Sequence, residues 1–236
     1  MKIAILGSGG REHAIVHSIS KSKKIKKIYC LPGNAGTSDL AKNVSIDINK
    51  FQQVYEFIKQ ERIDLVIVGP EQPLVDGIVD FLEERYIKVF GPNKIASQLE
   101  GSKIFTKNLC KKYNIPTAKF GIFQNKQSAK KFLNDSNFPI VIKADNLASG
   151  KGVYICESEK DGQIAVDEIF NGKFGNAENI LIEEFLKGEE MSFFTIHDGK
   201  VFKNFGTAQD HKRVLEGDKG KNTGGMGAYS PSRLIN

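Results

Sequence analysis

An alternation within the first hundred residues limits the folds open to this chain more than anything else in it. Short runs that are apolar almost throughout (KIAIL, KIYCL, NVSID, DLVIV, KVFG) are separated by helical patterning over Arg11–Ser20, Phe51–Gln60 and Asp76–Tyr86. A strand apolar on both faces suits a parallel sheet covered by helices on either side, whereas a half-exposed antiparallel sheet alternates apolar with polar residues. The expected fold class is therefore α/β, a doubly wound parallel sheet. Glycine-rich turns GSGGRE, PGNAGT and GPEQPLVDG follow the first, second and fourth runs. In such sheets ligands gather at the carboxyl ends of the strands, where these turns lie.

The texture changes near Gly101. A helix expected over Lys103–Tyr113 stops before Ile115-Pro116, and FPIVIKAD, GVYICE, ENILIEEF and EMSFFTIHDGKVFKNF follow. In the last of these, Asp198-Gly199 between two alternating runs signals a hairpin, so antiparallel pairing and an α+β region are expected. Gly224–Gly227 reads as a glycine-rich loop with no element after it. Such a loop normally joins two ordered parts, so the chain is expected to be truncated.

Bulk properties narrow the function classes. With 236 residues and 40% hydrophobic content, the chain can bury the cores of two modest domains. It has no long apolar run and no basic segment leading into one at its start, so neither a membrane span nor a signal peptide is expected. Cys30, Cys110 and Cys156 are odd in number and widely spaced, which suits reduced, buried thiols in the cytoplasm. The net charge of +6 raises the question of nucleic acid. Against it, the densest basic run, Lys21 to Lys27, falls where a helix gives way to a strand, and elsewhere Lys alternates with Asp and Glu as on a solvated surface. Aromatic and basic residues do not interleave as a single-strand platform requires.

Four stretches can carry chemistry. In Gly7-Ser8-Gly9-Gly10-Arg11-Glu12, glycines let backbone N–H groups approach a phosphate at a helix N-terminus, though they also serve a tight turn packed on the sheet. A dinucleotide fingerprint fails, because Glu12 stands at the third glycine position and Pro32-Gly33-Asn34 replaces the acidic residue that would hold a ribose. In Lys143 to Val153, Lys143 closes an apolar strand, where a charge is costly unless paired or aimed at an anion. The following loop, with Ser149, Gly150, Lys151 and Gly152, could cover phosphates or be a plain hairpin; it is not a Walker A loop. In Ile182 to Glu190, an edge backbone at Phe185 and Leu186 could pair with an adenine rim and Glu190 with ribose hydroxyls, or the stretch is an ordinary acidic turn. In Ala208 to Tyr229, Asp210, His211, Lys212 and Arg213 suit an anionic substrate or an acyl phosphate, or else a solvated tail. His13 and His17, four apart on the first helix, lack a third metal ligand.

Taken in order, GSGGREHA, PGNAGT, GPEQPL, LEGSK, IKAD-LA-GKGV, IEEFLKGEE, AQDHKR and NTGGMGAYSP span the chain. Together they resemble the N-terminal part of the glycinamide ribonucleotide synthetase (phosphoribosylamine-glycine ligase) family of ATP-grasp enzymes. The resemblance implies an α/β substrate-binding domain over 1–100 and an incomplete ATP-grasp domain over 101–236, with a small lid subdomain at about 120–188. It implies a ligation of purine biosynthesis: ATP phosphorylates glycine, and the amine of 5-phosphoribosylamine attacks the glycyl phosphate, releasing ADP and phosphate. By position, Lys103 and Lys143 would contact ATP phosphates under the 146–152 loop, including Ser149, Gly150, Lys151 and Gly152. Glu183, Phe185 and Leu186 would hold adenine, and Glu190 the ribose. Gly9, Gly10, Arg11, Glu12, Gly33, Asn34 and Glu71, with Asp210, His211, Lys212 and Arg213, would face phosphoribosylamine and glycine.

Two departures stand out. Asn146 replaces a usual glycine of the phosphate loop, a substitution that Asn tolerates because it enters left-handed backbone more readily than most residues. The family's Mg2+ or Mn2+ ligands come after the TGGMG loop, so they are expected beyond Asn236 and the chain as given is expected not to turn over. The rivals are another ATP-grasp ligase such as a biotin carboxylase, a nucleotide-binding regulatory module, and an NAD-dependent oxidoreductase.

Overall fold

The computed structural model describes residues 1–145, 152–175, 178–217 and 219–235, without the side chains of 221 and 222. The chain forms two compact units, Met1–Thr106 and Lys107–Asn236.

The first unit runs β1 Lys2–Gly7, α1 Gly10–Ser20, β2 Lys27–Pro32, a 3-10 turn Thr37–Asp39, β3 Lys42–Asn43, α2 Phe51–Glu61, β4 Leu65–Val68, α3 Glu71–Asp76, α4 Ile78–Glu83, β5 Val89–Phe90 and α5 Lys94–Gly101. Its strand order is β3-β2-β1-β4-β5, and every pair is parallel. The apolar runs explain the double winding, because successive strand side chains point to opposite faces. Ala4 and Leu6 join a core with Val54, Phe57 and Ile58 of α2 and Ile78, Val79 and Leu82 of α4. Ile3 and Ile5 join a second core with Val16 of α1.

Two sequence expectations change. Of NVSID only Asn43 is in a strand, closing the two-residue β3; Val44, Ile46 and Ile48 follow it without strand structure and pack against the first core. The helix expected over Asp76–Tyr86 is replaced by α3 and α4, broken at Gly77. Gly77 takes a φ of 98°, and its N–H bonds to Pro73 and Leu74 carbonyls, so a left-handed cap ends one helix and starts the next.

The helix α6, Lys103–Tyr113, has the expected span. It is followed by β6 Phe120–Phe123, α7 Lys126–Asn134, β7 Ile140–Ala144, β8 Val153–Cys156, α8 Glu159–Phe170 and β9 Ile180–Glu184. These strands form an antiparallel sheet in the order β6-β9-β7-β8. Ile140, Ile142 and Ala144 on β7 and Ile180 and Ile182 on β9 pack against Ala129 and Leu133 of α7 and Ala165, Val166 and Ile169 of α8. Strand periodicity sends Val141, Lys143, Leu181 and Glu183 to the opposite face.

A second antiparallel sheet joins β10 Ser192–His197, β11 Phe202–Leu215 and β12 Lys219–Tyr229. The expected hairpin at Asp198-Gly199 is present, with a four-residue loop between the paired His197 and Phe202. Asp198 Oδ1 accepts from Lys200 and Val201 N–H groups at 3.0 and 2.9 Å, and these bonds hold its carboxyl below the usual range. The glycine-rich stretch 224–227 is not a loop but lies within β12. Gly225, at φ 129°, takes a backbone that other residues avoid, and the β11–β12 register shifts after His211 and Arg213, so glycine here supports an irregular strand.

All three cysteines are free, but Cys110 is only partly buried, unlike Cys30 and Cys156. Among the described residues no helix is long and apolar enough to cross a membrane.

Candidate functional site

In the first unit, the turns after β1, β2 and β4 are tied into one cluster. The Asn34 side-chain amide donates to the carbonyls of Ser8 and Gly9 at 2.8 and 3.3 Å, and Gly33 N–H to that of Gly7 at 3.1 Å. Arg11 meets Glu71 in a two-pronged pair at 2.7 and 3.1 Å. The Glu71 bond raises the pKa of Arg11, and the Arg11 bond lowers that of Glu71. Glu12, at the third position of α1, turns back so that Oε2 accepts from Gly9 N–H at 2.5 Å.

Glu12 is 3% exposed, and its Oε1 is buried without a hydrogen-bond partner. A Cβ on Gly69 would overlap its carboxylate, and one on Gly7 would lie 2.7 Å from its Cδ. Gly7, which closes β1, and Gly69, which follows β4, are therefore explained by a buried carboxylate that needs their missing side chains. The structure thus brings Gly9, Gly10, Arg11, Glu12, Gly33, Asn34 and Glu71 together at the carboxyl ends of the strands. His13 lies against Gly36, whose Cβ would meet its ring.

In the second unit, Lys143 and Glu183 share the sheet face opposite α7 and α8. Lys143 Nζ contacts Glu183 Oε1, and Lys107 Nζ of α6 lies 2.6 Å from Glu183 Oε2. The second approach is too oblique to satisfy Oε2 as a hydrogen bond, so it counts as an ion pair. Lys107 also donates to Thr117 Oγ1 at 2.7 Å and the Ala118 carbonyl at 3.2 Å, and lies 5.3 Å from the Phe120 ring centre. Relative exposures of 11% for the Lys107 side chain, 6% for Glu183 and 28% for Lys143 decide which ammonium an incoming anion can reach: Lys143.

Lys107 is the residue that sequence reasoning missed. Helical patterning assigns a lysine to solvent, yet it is the one buried residue of α6. Glu183, expected beside adenine, faces the two lysines. After β9 the chain leaves regular structure, with Leu186 exposed and Phe185 partly buried.

Asp210, His211, Lys212 and Arg213 lie on β11 and do not converge. Lys212 Nζ sits 3.0 Å from Glu190 Oε2 and 3.9 Å from Asp210 Oδ2, and the Glu190 bond raises its pKa. His211 stacks on Tyr229 at 5.9 Å between ring centres, and Arg213 donates to the Gly220 carbonyl at 2.5 Å. Beside Glu190, Glu189 accepts from Arg233 at 3.0 and 2.9 Å and from Gln209 at 3.0 Å; the Arg233 contact first, then Gln209, lowers its pKa.

Lys103 opens α6. Gly152 closes the β7–β8 hairpin, its carbonyl accepting from Ala144 N–H at 2.9 Å. Ser149, Gly150 and Lys151 lie outside the described residues, as do Asn146 and Asp218. Among the described residues no three His, Cys, Asp or Glu side chains form a group able to hold a metal ion, so these residues do not fit a metal centre.

Comparison with known proteins matches both halves. Residues 1–100 match the phosphoribosylglycinamide synthetase N domain, and residues 101–236 match the ATP-grasp (A) domain of the same synthetase. The chain is 52% identical over 236 residues to a phosphoribosylamine–glycine ligase of Mesorhizobium japonicum, covering all of this chain and 56% of the relative. It is 46% identical to the ligase of that name from Clostridium acetobutylicum, covering 98% and 56%. The chain thus spans about half the length of the curated relatives it matches.

A crystal structure of phosphoribosylamine–glycine ligase from Thermotoga maritima superposes with a TM-score of 0.82 at 34% identity, over 98% of this chain and 56% of that one. The biotin carboxylase domain of a Hydrogenobacter thermophilus 2-oxoglutarate carboxylase, at 18% identity and TM-score 0.70, shares the fold. It covers 90% of this chain and 50% of that one. With both domains matched end to end, the chain belongs to the phosphoribosylglycinamide synthetase family.

Proposed function

We propose that the full-length protein joins glycine to 5-phosphoribosylamine at the expense of ATP, forming glycinamide ribonucleotide in the cytoplasm through a glycyl phosphate. The observation that carries this is the reachable ammonium of Lys143, set on the same sheet face as Glu183 in a chain of this family. A carboxylate is a poor electrophile, and phosphorylation gives it a leaving group. The protein's part is to position the reactants and to neutralise charge as it develops on the transferred phosphoryl oxygens.

In this scheme Lys143 and Lys103 meet ATP phosphates, with residues 146–152 as cover and about 120–188 as a small lid. The backbone at Phe185 and Leu186 takes the adenine edge, Glu190 the ribose hydroxyls, and Glu183 holds the lysines. Gly9, Gly10, Arg11, Glu12, Gly33, Asn34 and Glu71 bind phosphoribosylamine, the uncommitted Glu12 oxygen being suited to an amine or hydroxyl donor. Asp210 and Lys212, which stand on the Glu190 side of β11, face glycine; His211 and Arg213 support that strand. ATP-grasp ligases as a class use ATP with a divalent metal ion, and in this scheme that ion is Mg2+ or Mn2+.

The test is product formation by the full-length protein from glycine, phosphoribosylamine and ATP. ATP should raise its melting temperature and NADH should not. Activity with bicarbonate in place of glycine, or no shift with ATP, would contradict the assignment.

A further inference from the structure

Lys107 presents a buried ammonium that the scheme above does not use. It donates to Thr117 Oγ1 and the Ala118 carbonyl and stands in an ion pair with Glu183 Oε2, with its side chain 11% exposed, so the ammonium is committed within the protein rather than turned to a ligand. Lys143 differs: it is more exposed, and among the described residues its ion-pair partner is Glu183, which it shares with Lys107. Two cations on one carboxylate leave one positive charge in excess. The excess resides on the lysine that can move.

We infer that Lys107 is a positioning residue that makes Lys143 releasable: it remains on Glu183 as a fixed counter-charge while Lys143 transfers its ammonium to an anionic nucleotide. Without Lys107, moving Lys143 away would leave Glu183 as a buried charge without a partner, a costly state. Lys143 would then be held by Glu183 and withheld from the ligand. Lys107 therefore acts on nucleotide affinity through Glu183 without touching the nucleotide. Thr117 and Ala118, in the segment between α6 and β6, fix the Lys107 ammonium in place. The inference rests on the proposal that Lys143 meets ATP phosphates.

The experiment measures ATP affinity of the full-length protein by titration calorimetry for the unmutated protein, Lys107→Met, Glu183→Gln and the double variant. Lys107→Met keeps an unbranched side chain one atom shorter and removes the charge. It should weaken ATP binding at least about tenfold. Glu183→Gln should bind no more weakly than the unmutated protein, because it releases Lys143. The double variant should recover most of what Lys107→Met loses, a rescue that a merely structural lysine would not show.

Equal affinity in Lys107→Met, or no recovery in the double variant, overturns the inference. If the variants do not fold, structures of the unmutated full-length protein with and without a non-hydrolysable ATP analogue decide. Lys143 should leave Glu183 in the bound form while Lys107 stays within ion-pair distance; Lys143 remaining on Glu183, or Lys107 departing, contradicts it. Failure of the unmutated protein to bind ATP would instead defeat the parent proposal.

Discussion

The two candidate sites solve opposite electrostatic problems. In the first unit a carboxylate, Glu12, is buried at the start of α1 by removing side chains around it, since a methyl added at Gly7, Gly9 or Gly69 would overlap it. In the second unit one carboxylate, Glu183, is buried by adding cations around it. The glycine-built site has fixed geometry and one uncommitted acceptor. The lysine-built site has a charge that can be redistributed. The first suits recognition of a neutral or amine-bearing group, and the second suits a polyanion whose charge changes during reaction.

The largest effect should come from Lys143→Ala in the full-length protein. It should weaken ATP binding by about 1 to 3 kcal/mol, the scale for losing a charged hydrogen-bond partner, and leave the KM for phosphoribosylamine unchanged. Calorimetry and steady-state kinetics separate the two, and an equal loss for both ligands would break the division of labour. Gly69→Ala is the converse: the added methyl meets the Glu12 carboxylate and should cost roughly 1 to 3 kcal/mol of stability by overpacking. Its KM for phosphoribosylamine should rise while ATP affinity holds, and an unchanged melting temperature would count against the packing described.

Glu71→Gln removes the carboxylate that fixes Arg11, an exposed pair worth at most about 1 kcal/mol. Stability should barely move, while the KM for phosphoribosylamine rises. The same pair gives a pH dependence. Glu71 has a lowered pKa, so its contribution is present at neutral pH and is lost as pH falls below the ordinary carboxylate range.

The smallest effect concerns Cys156, 1% exposed beneath α8, whose thiol burial pushes up from an ordinary 9.0 to about 11. A raised thiol pKa favours the protonated native form, so its stabilisation is complete below about pH 9 and lost between there and about pH 11. At pH 8 a maleimide should label Cys110 and spare Cys30 and Cys156; rapid labelling of Cys156 would refute its burial.

The same contrast explains what the amino-acid sequence discloses. Strands such as KIAIL are legible because both their faces are buried and apolar, and the turns at Gly9, Gly33 and Glu71 follow from where such strands end. Lys107 is not legible, since its burial depends on Glu183, far along the chain, and no local pattern marks a lysine that will be paired. The helices α7 and α8 escape a reading by pattern although Asn125 and Ser158 cap them, accepting from Ser128 and Asp161 N–H groups. The strand β12 is hidden by glycines that suggest a loop, because its pairing is supplied by β11. That Asp210 and Lys212 stand toward Glu190 while His211 stacks on Tyr229 is likewise not legible locally, because it follows from strand pairing, which divides neighbours between two faces.

The proposed function turns on whether the full-length protein activates glycine as an acyl phosphate. Turnover with glycine labelled by oxygen-18 in its carboxylate, followed by mass analysis of the phosphate released, is the decisive experiment. One labelled oxygen should pass to phosphate for each product formed. Unlabelled phosphate, with the label wholly retained in the product, would contradict it.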